Sequence, residues 1–109
     1  MENQSELLIY STEDGTTRIQ VRLNEDTVWL TQEQMSELFQ RDRTVITKHI
    51  TNVFTEGELE EESNMQKMHI ANSDKPIKCY NLDVIISVGY RVKSNCGSQF
   101  RIWATQRLK

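Results

Sequence analysis

The sequence predicts an α+β domain, on three observations. Thr17, Ile19, Val21 and Leu23 alternate with Arg18, Gln20 and Arg22 behind a turn signal at Asp14 and Gly15, the period of a half-buried strand in a hairpin. Two short apolar stripes at helical spacing follow, at 32–39 and 43–54. A third segment, 83–92, is nearly apolar throughout and reads as a helix buried on most sides.

Taken in order, residues 7–23 form the N-terminal β-hairpin, and Asn24, Glu25 and Asp26 turn the chain into a short strand at 27–30. Thr31 stands where an N-cap belongs, and Gln34 completes a capping box. Met35, Leu38 and Phe39 then give the helix 32–39 its apolar stripe. Gln40 and Arg41 interrupt that stripe, and Asp42 caps a second helix over 43–54. Its apolar side carries Ile46, Ile50, Val53 and Phe54, with His49 among them. The opposite side carries Arg43, Thr44, Thr47, Lys48 and Thr51, and no acid.

The acidic run 56–62, punctuated by Gly57, is expected to be a solvated connector that continues briefly as a helix at most. Residues 64–71 and 76–82 read as a second hairpin around the turn chemistry of 72–75. Asn81 caps the helix 83–92, residues 95–98 read as a loop, and a final helix starts at Gln99. That helix sets Phe100, Trp103, Ala104 and Leu108 on one face. It meets no breaker before Lys109, so the natural protein is expected to continue as a longer chain.

Composition bounds the function. A chain of 109 residues, 37% hydrophobic and 27% charged, has the make-up of a single folded domain (1–109) that needs no metal or disulfide staple. The longest aliphatic run is three residues and the N-terminus lacks a basic and apolar leader, so no membrane span or secretion signal is expected. Cys79 and Cys96 form no CxxC pair, which fits a reduced, cytoplasmic chain. Large enzymes, membrane proteins and cystine frameworks are excluded.

The net charge of -3 hides a division. Residues 1–37 sum to -6, residues 38–54 to +2, residues 55–62 to -5, and residues 63–109 to +6. Local field, more than net charge, governs an encounter with a polyanion.

The constellation at 32–54 has the spacing of a helix-turn-helix, in which the first helix braces and the second lies in the major groove. Thr44, Thr47 and Lys48 would face base edges, since hydroxyls donate or accept, threonine methyls pack on thymine, and lysine reaches guanine O6 and N7. Arg43 and Thr51 would flank them. The hairpin that follows would act as a wing carrying Lys67, Lys75 and Lys78, with Arg41, Lys75 and Lys78 holding phosphates. The amides at the start of the second helix would offer a further anion site.

The expected fold is therefore a winged helix-turn-helix-like domain with an N-terminal β-hairpin and two C-terminal helices. Its expected partner is double-stranded DNA, with a homodimer possible because one reading helix covers only a half-site. The same spacing also fits an ordinary αα-hairpin with a polar outer face. The lysines of the hairpin also suit solubility and edge protection. Arg91, Lys93, Arg101 and Arg107 read as solvation or partner contacts before phosphate clamps.

No catalytic residue, metal ligand or cofactor emerges. His49 reads as a core histidine, and His69, Cys79 and Cys96 show no ligand-pair spacing with it. Cys96 reads as a half-buried thiol, Trp29 and Trp103 as core anchors, and Glu58, Glu60, Glu61 and Glu62 as solvated carboxylates. There is no phosphate loop or nucleophile elbow, so neither an enzyme nor a small-molecule substrate is inferred. The competing expectation is a protein–protein interaction module. In it the acidic N-terminal third and the apolar faces of the last two helices dock a partner or a further C-terminal domain.

Two blocks carry a family resemblance: TVWLTQEQMSELFQRDRTVITKHITNVF (27–54) and YNLDVIISVGYRVKSNCGSQFRIWATQRLK (80–109). Over about residues 7–109 the chain resembles the N-terminal part of RhuM-family proteins, the bacterial virulence-associated proteins of pathogenicity islands and other mobile elements. The resemblance implies a DNA-binding module serving transcription regulation, with larger relatives extending beyond it at the C-terminus. Some relatives join this module to a Fic-type domain, whose His-Pro-Phe-centred motif is absent here. The resemblance supplies no catalytic residue and no operator.

Overall fold

The computed structural model describes residues 6–12, 14–69 and 74–108. Five strands and five helices follow in the order β1 (Glu6–Ser11), β2 (Arg18–Asn24), β3 (Thr27–Thr31), α1 (Gln32–Phe39), α2 (Arg43–Thr55), α3 (Glu61–Asn64), β4 (Met65–Met68), β5 (Ile77–Asn81), α4 (Leu82–Arg91) and α5 (Cys96–Arg107). The α+β class is as expected. The two hairpins, however, are not separate. They join in one five-stranded antiparallel sheet of order β1-β2-β3-β5-β4, because β3 pairs with β5 through Trp29–Asn81, Leu30–Tyr80 and Thr31–Cys79.

Local chemistry accounts for most boundaries. The β1–β2 turn is held by Asp14, whose carboxylate accepts from the Thr12 hydroxyl at 2.7 Å and from the Thr16 amide at 3.1 Å. Glu25 and Asp26 both take positive φ, 57° and 65°, the requirement of a two-residue hairpin turn whose twist matches its strands. The capping box at α1 forms as expected: the Gln34 amide donates to Thr31 Oγ1 at 3.1 Å and the Thr31 amide to Gln34 Oε1 at 2.9 Å. Gln40 ends α1 in the left-handed region at φ 55°, where glycine is the usual choice. Its side chain donates back to the Glu37 carbonyl at 2.7 Å.

All the long helices lie on one face of the sheet. Tyr10, Ile19, Val21, Val28, Leu30 and Tyr80 project from that face into a core completed by Met35, Leu38, Phe39, Ile46, Ile50, Val84, Ile85, Val88, Phe100 and Ala104. Tyr10 meets Phe100 and Trp103 edge-on, with ring centroids 5.1 and 5.2 Å apart. Trp29 is equally buried, at 3% exposure, but strand alternation turns it to the opposite face. There it lies among Leu7, Gln20, Arg22, Gln34 and Cys79, and its indole donates to the Asn24 carbonyl at 2.9 Å.

Three expectations need correction. The last helix starts at Cys96, not Gln99. Gly97 is helical because it faces Gly89 of α4 in a close helix crossing. A Cβ on Gly89 would stand 3.2 Å from the Phe39 ring and 3.5 Å from Gly97 Cα. Second, the acidic run is tethered as well as solvated: Arg91 bonds Glu56 and Glu58, each at 2.8 Å, and the Ser87 hydroxyl donates to Glu58 at 2.7 Å. These contacts hold the Glu58 carboxyl below the usual carboxylate range. Third, the second hairpin is shorter than expected, since residues 61–64 form α3 and Asn64 is fixed by bonds to Glu60 and Asn81. The turn expected at 72–75 falls partly on residues 70–73, outside the described residues, as does Lys109.

Candidate nucleic-acid interface

The outer side of α2 presents Arg43, Thr44, Thr47, Lys48 and Thr51, every one exposed. They are held outward because Ile46, Ile50 and Val53, on the inner side, are buried against the core. Asp42 starts the helix by accepting from the Thr44 amide at 3.1 Å and from its hydroxyl. Both bonds hold the Asp42 carboxyl below the usual carboxylate range. This carboxylate occupies the helix N-terminus, the position envisaged for a phosphate.

The Thr44 and Thr47 hydroxyls of this face are already partnered. Thr47 donates to the Arg43 carbonyl at 2.9 Å and accepts from the Gln32 side chain. Both threonine protons are thus committed within the protein, leaving lone pairs and methyl groups outward.

Beside α2 lies β5. Between them is a groove of about 210 Å³ lined by Gln32, Thr47, Thr51, Phe54, Lys78 and Tyr80, among others, with Glu61 also on its wall. Lys78 stands opposite Lys67 across the β4–β5 ladder, so two ammonium groups share one place on the hairpin. Lys75 is exposed on the approach to β5. The structure therefore brings Thr47, Thr51 and Lys78 to one groove, with Arg43, Thr44 and Lys48 on the same helix, and Lys75 outside the groove.

Arg41 is placed differently. Its guanidinium donates to the carbonyls of Phe39 at 3.1 Å, Gln40 at 3.3 Å and Val92 at 2.9 Å. It thereby ties the α1–α2 turn to the end of α4. Arg91 and Arg107 also have partners, in Glu56 and Glu58 and over the Trp103 ring at 5.1 Å respectively. Gln32, which reaches both the groove and Thr47, is a site residue that sequence reasoning missed. Its position at the start of α1, just after the cap, was the available signal.

His49 is half-buried, and its Nδ1 is buried without a hydrogen-bond partner. Desolvation, with Lys48 and Arg91 nearby, pushes its pKa below the ordinary value. Burial pushes the Cys79 thiol up to about 11. Among the described residues no group of three or more His, Cys, Asp or Glu side chains is arranged to hold a metal ion, and no helix is long and apolar enough to cross a membrane.

Comparison with known proteins adds one finding: the family model described as Virulence protein RhuM family matches residues 46–109. Searches of curated proteins and of solved structures found no match.

Proposed function

The chain belongs to the virulence protein RhuM family, and from that premise we propose that it is a double-stranded DNA-binding module of winged helix-turn-helix type acting in transcription regulation, in the cytoplasm. The observation that carries the reading is the exposed, acid-free face of α2 set beside Lys78 of the β4–β5 hairpin. A cationic and hydroxyl-bearing helix face is what base edges and phosphates require.

Topology supports the winged type. The helices α1 and α2 are inserted between β3 and β4, and the strands order as β3-β5-β4, so the hairpin flanks the reading helix. In this reading Thr44, Thr47 and Lys48 meet bases, Arg43 and Thr51 flank them, and Lys75 and Lys78 contact phosphates. Arg41 positions the turn and offers its remaining donors to the backbone. The carboxylates of 56–62 gather at the C-terminal end of α2, so DNA approaches over its N-terminal half. Nothing in the reading calls for a catalytic residue or cofactor.

One observation favours the competing reading of a protein-interaction module. Tyr90 is 80% exposed beside a groove of about 370 Å³ between α4 and α5, which Lys93 and Arg101 also line.

The deciding experiment is fluorescence anisotropy of the chain on mixed-sequence duplex DNA at about 50 and 200 mM salt. A log–log slope of roughly -3 to -5 is expected, the signature of several phosphate contacts. No binding at the lower salt overturns the proposal and leaves the α4–α5 groove as the functional surface.

A further inference from the structure

Between Asp83 and Lys109 stand the cations Arg91, Lys93, Arg101 and Arg107, and no acid. Two of them are spent inside the protein, Arg91 on Glu56 and Glu58 and Arg107 over the Trp103 ring. Lys93 and Arg101 are exposed, with no side-chain hydrogen bond or ion pair among the described residues. Both line the groove of about 370 Å³ between α4 and α5, together with Tyr90, Ser94, Asn95 and Ser98. No carboxylate of the described residues lines it. Ser94 accepts from the Cys96 amide at 3.1 Å and keeps its own proton for a ligand.

The groove lies at the end of α4 that borders α2. Arg41, just before α2, bonds the Val92 carbonyl at 2.9 Å, and Lys93 is the next residue. His49, about 200° round α2 from Thr47 at 3.6 residues per turn, is half-buried within the field of Arg91. Thr47 and Thr51 turn to the other flank, where Lys78 stands. The face that carries Thr44 and Lys48 therefore has β5 on one side and the end of α4 on the other.

We propose that the α4–α5 groove is a second phosphate clamp, in which Lys93 and Arg101 hold the DNA backbone on the side of α2 opposite Lys75 and Lys78. The inference rests on the DNA-binding reading and deepens it. A helix in the major groove, about 12 Å wide, is bordered by the phosphates of both strands. The hairpin lysines supply cations to one border, and Lys93 and Arg101 supply them to the other. Charge complementarity selects this occupant. Two unspent cations with hydroxyl donors and no carboxylate suit a phosphodiester. Tyr90, 80% exposed at the rim, adds a hydroxyl of the kind that phosphate contacts use. An apolar helix of a partner protein would instead cover both cations without a counter-charge.

The test is anisotropy on mixed-sequence duplexes at about 50 and 200 mM salt, with Lys93→Gln, Arg101→Gln and the pair together. Each single change should cut the magnitude of the log–log slope by about 1 and the pair by about 2, with equal losses on every duplex. Adding Lys78→Gln to the pair should remove about 1 more, since it serves a different phosphate. Arg22→Gln, which removes one charge from the opposite face of the sheet, should leave the slope as it is. Thermal midpoints of the groove variants should match the wild type, because both side chains are exposed. In the wild-type chain, added duplex should shift the amide resonances of Lys93, Ser94 and Ser98, a readout independent of any variant. A wild-type slope in the paired variant, an equal loss in Arg22→Gln, or unmoved resonances would each overturn the inference and leave the α2 reading standing. A wild-type chain that binds no duplex at the lower salt overturns both.

Discussion

Thr44 and Thr47 each own one hydroxyl proton, and both protons are held inside the protein by Asp42 and the Arg43 carbonyl. Apart from the Thr51 hydroxyl, the donors left on this face are cationic, and Lys48 is the one nearest its middle. Lys48→Ala should weaken DNA binding by about 1–3 kcal/mol if it reads a base. If it contacts phosphate only, the loss is uniform across sequences and the salt slope drops by about 1. Anisotropy on several duplexes separates these outcomes, and unchanged binding removes Lys48 from the site. His49 offers a pH test. Its folded pKa is depressed, so the unfolded chain takes up its proton first. The stability is therefore whole above the ordinary histidine value of about 6.5 and declines as pH falls below it toward the folded pKa. Thermal midpoints across that window should fall less steeply in His49→Leu, and identical slopes would count against the assignment. The exposed side chains of α2 were legible in the sequence because a capped helix with a 3.6-residue period fixes which positions point out. The bonds of Arg41 to Val92 and of Arg91 to Glu56 and Glu58 were not, since their partners lie far along the chain and charge alone does not name them.

At the scale of the element, local rules sufficed where caps and turns decide the boundary. The capping box of α1, the Asp42 cap of α2 and the Asn81 cap of α4 all stand where the sequence sets them. They failed at α5, because Asn95, Cys96, Gly97 and Ser98 carry turn chemistry that a tertiary contact overrides. At the crossing of α4 and α5 a Cβ on Gly89 would press on the Phe39 ring at 3.2 Å, whereas one on Gly97 would meet Gly89 and that ring only at an ordinary 3.6 Å. Gly89→Val should therefore lose about 1–3 kcal/mol by overpacking, seen as a lowered denaturant midpoint at constant m-value. Wild-type stability in that variant would mean that Phe39 gives way freely. The left-handed turn at Gln40 is a second local departure, where a side chain bonded to Glu37 stands in for the expected glycine.

For the whole molecule, the pairing of β3 with β5 is what makes one sheet from two hairpins, and it joins residues about fifty apart in the chain. No periodicity reports such a partner, which is why the hairpins were legible and their union was not. The family match begins inside α2, at residue 46, whereas the core draws Tyr10, Ile19, Val21, Val28, Leu30, Met35, Leu38 and Phe39 from before it. A chain restricted to 46–109 should thus give the circular dichroism of an unfolded polypeptide, and a cooperative melt would contradict this. With the long helices confined to one side of the sheet, the two tryptophans also inhabit different worlds. Trp29 is sealed on the back beneath long polar side chains, while Trp103 sits at the rim of the helical layer under Arg107. Acrylamide should consequently quench one emission and spare the other, giving the protein a built-in pair of optical reporters, one for each side of the sheet.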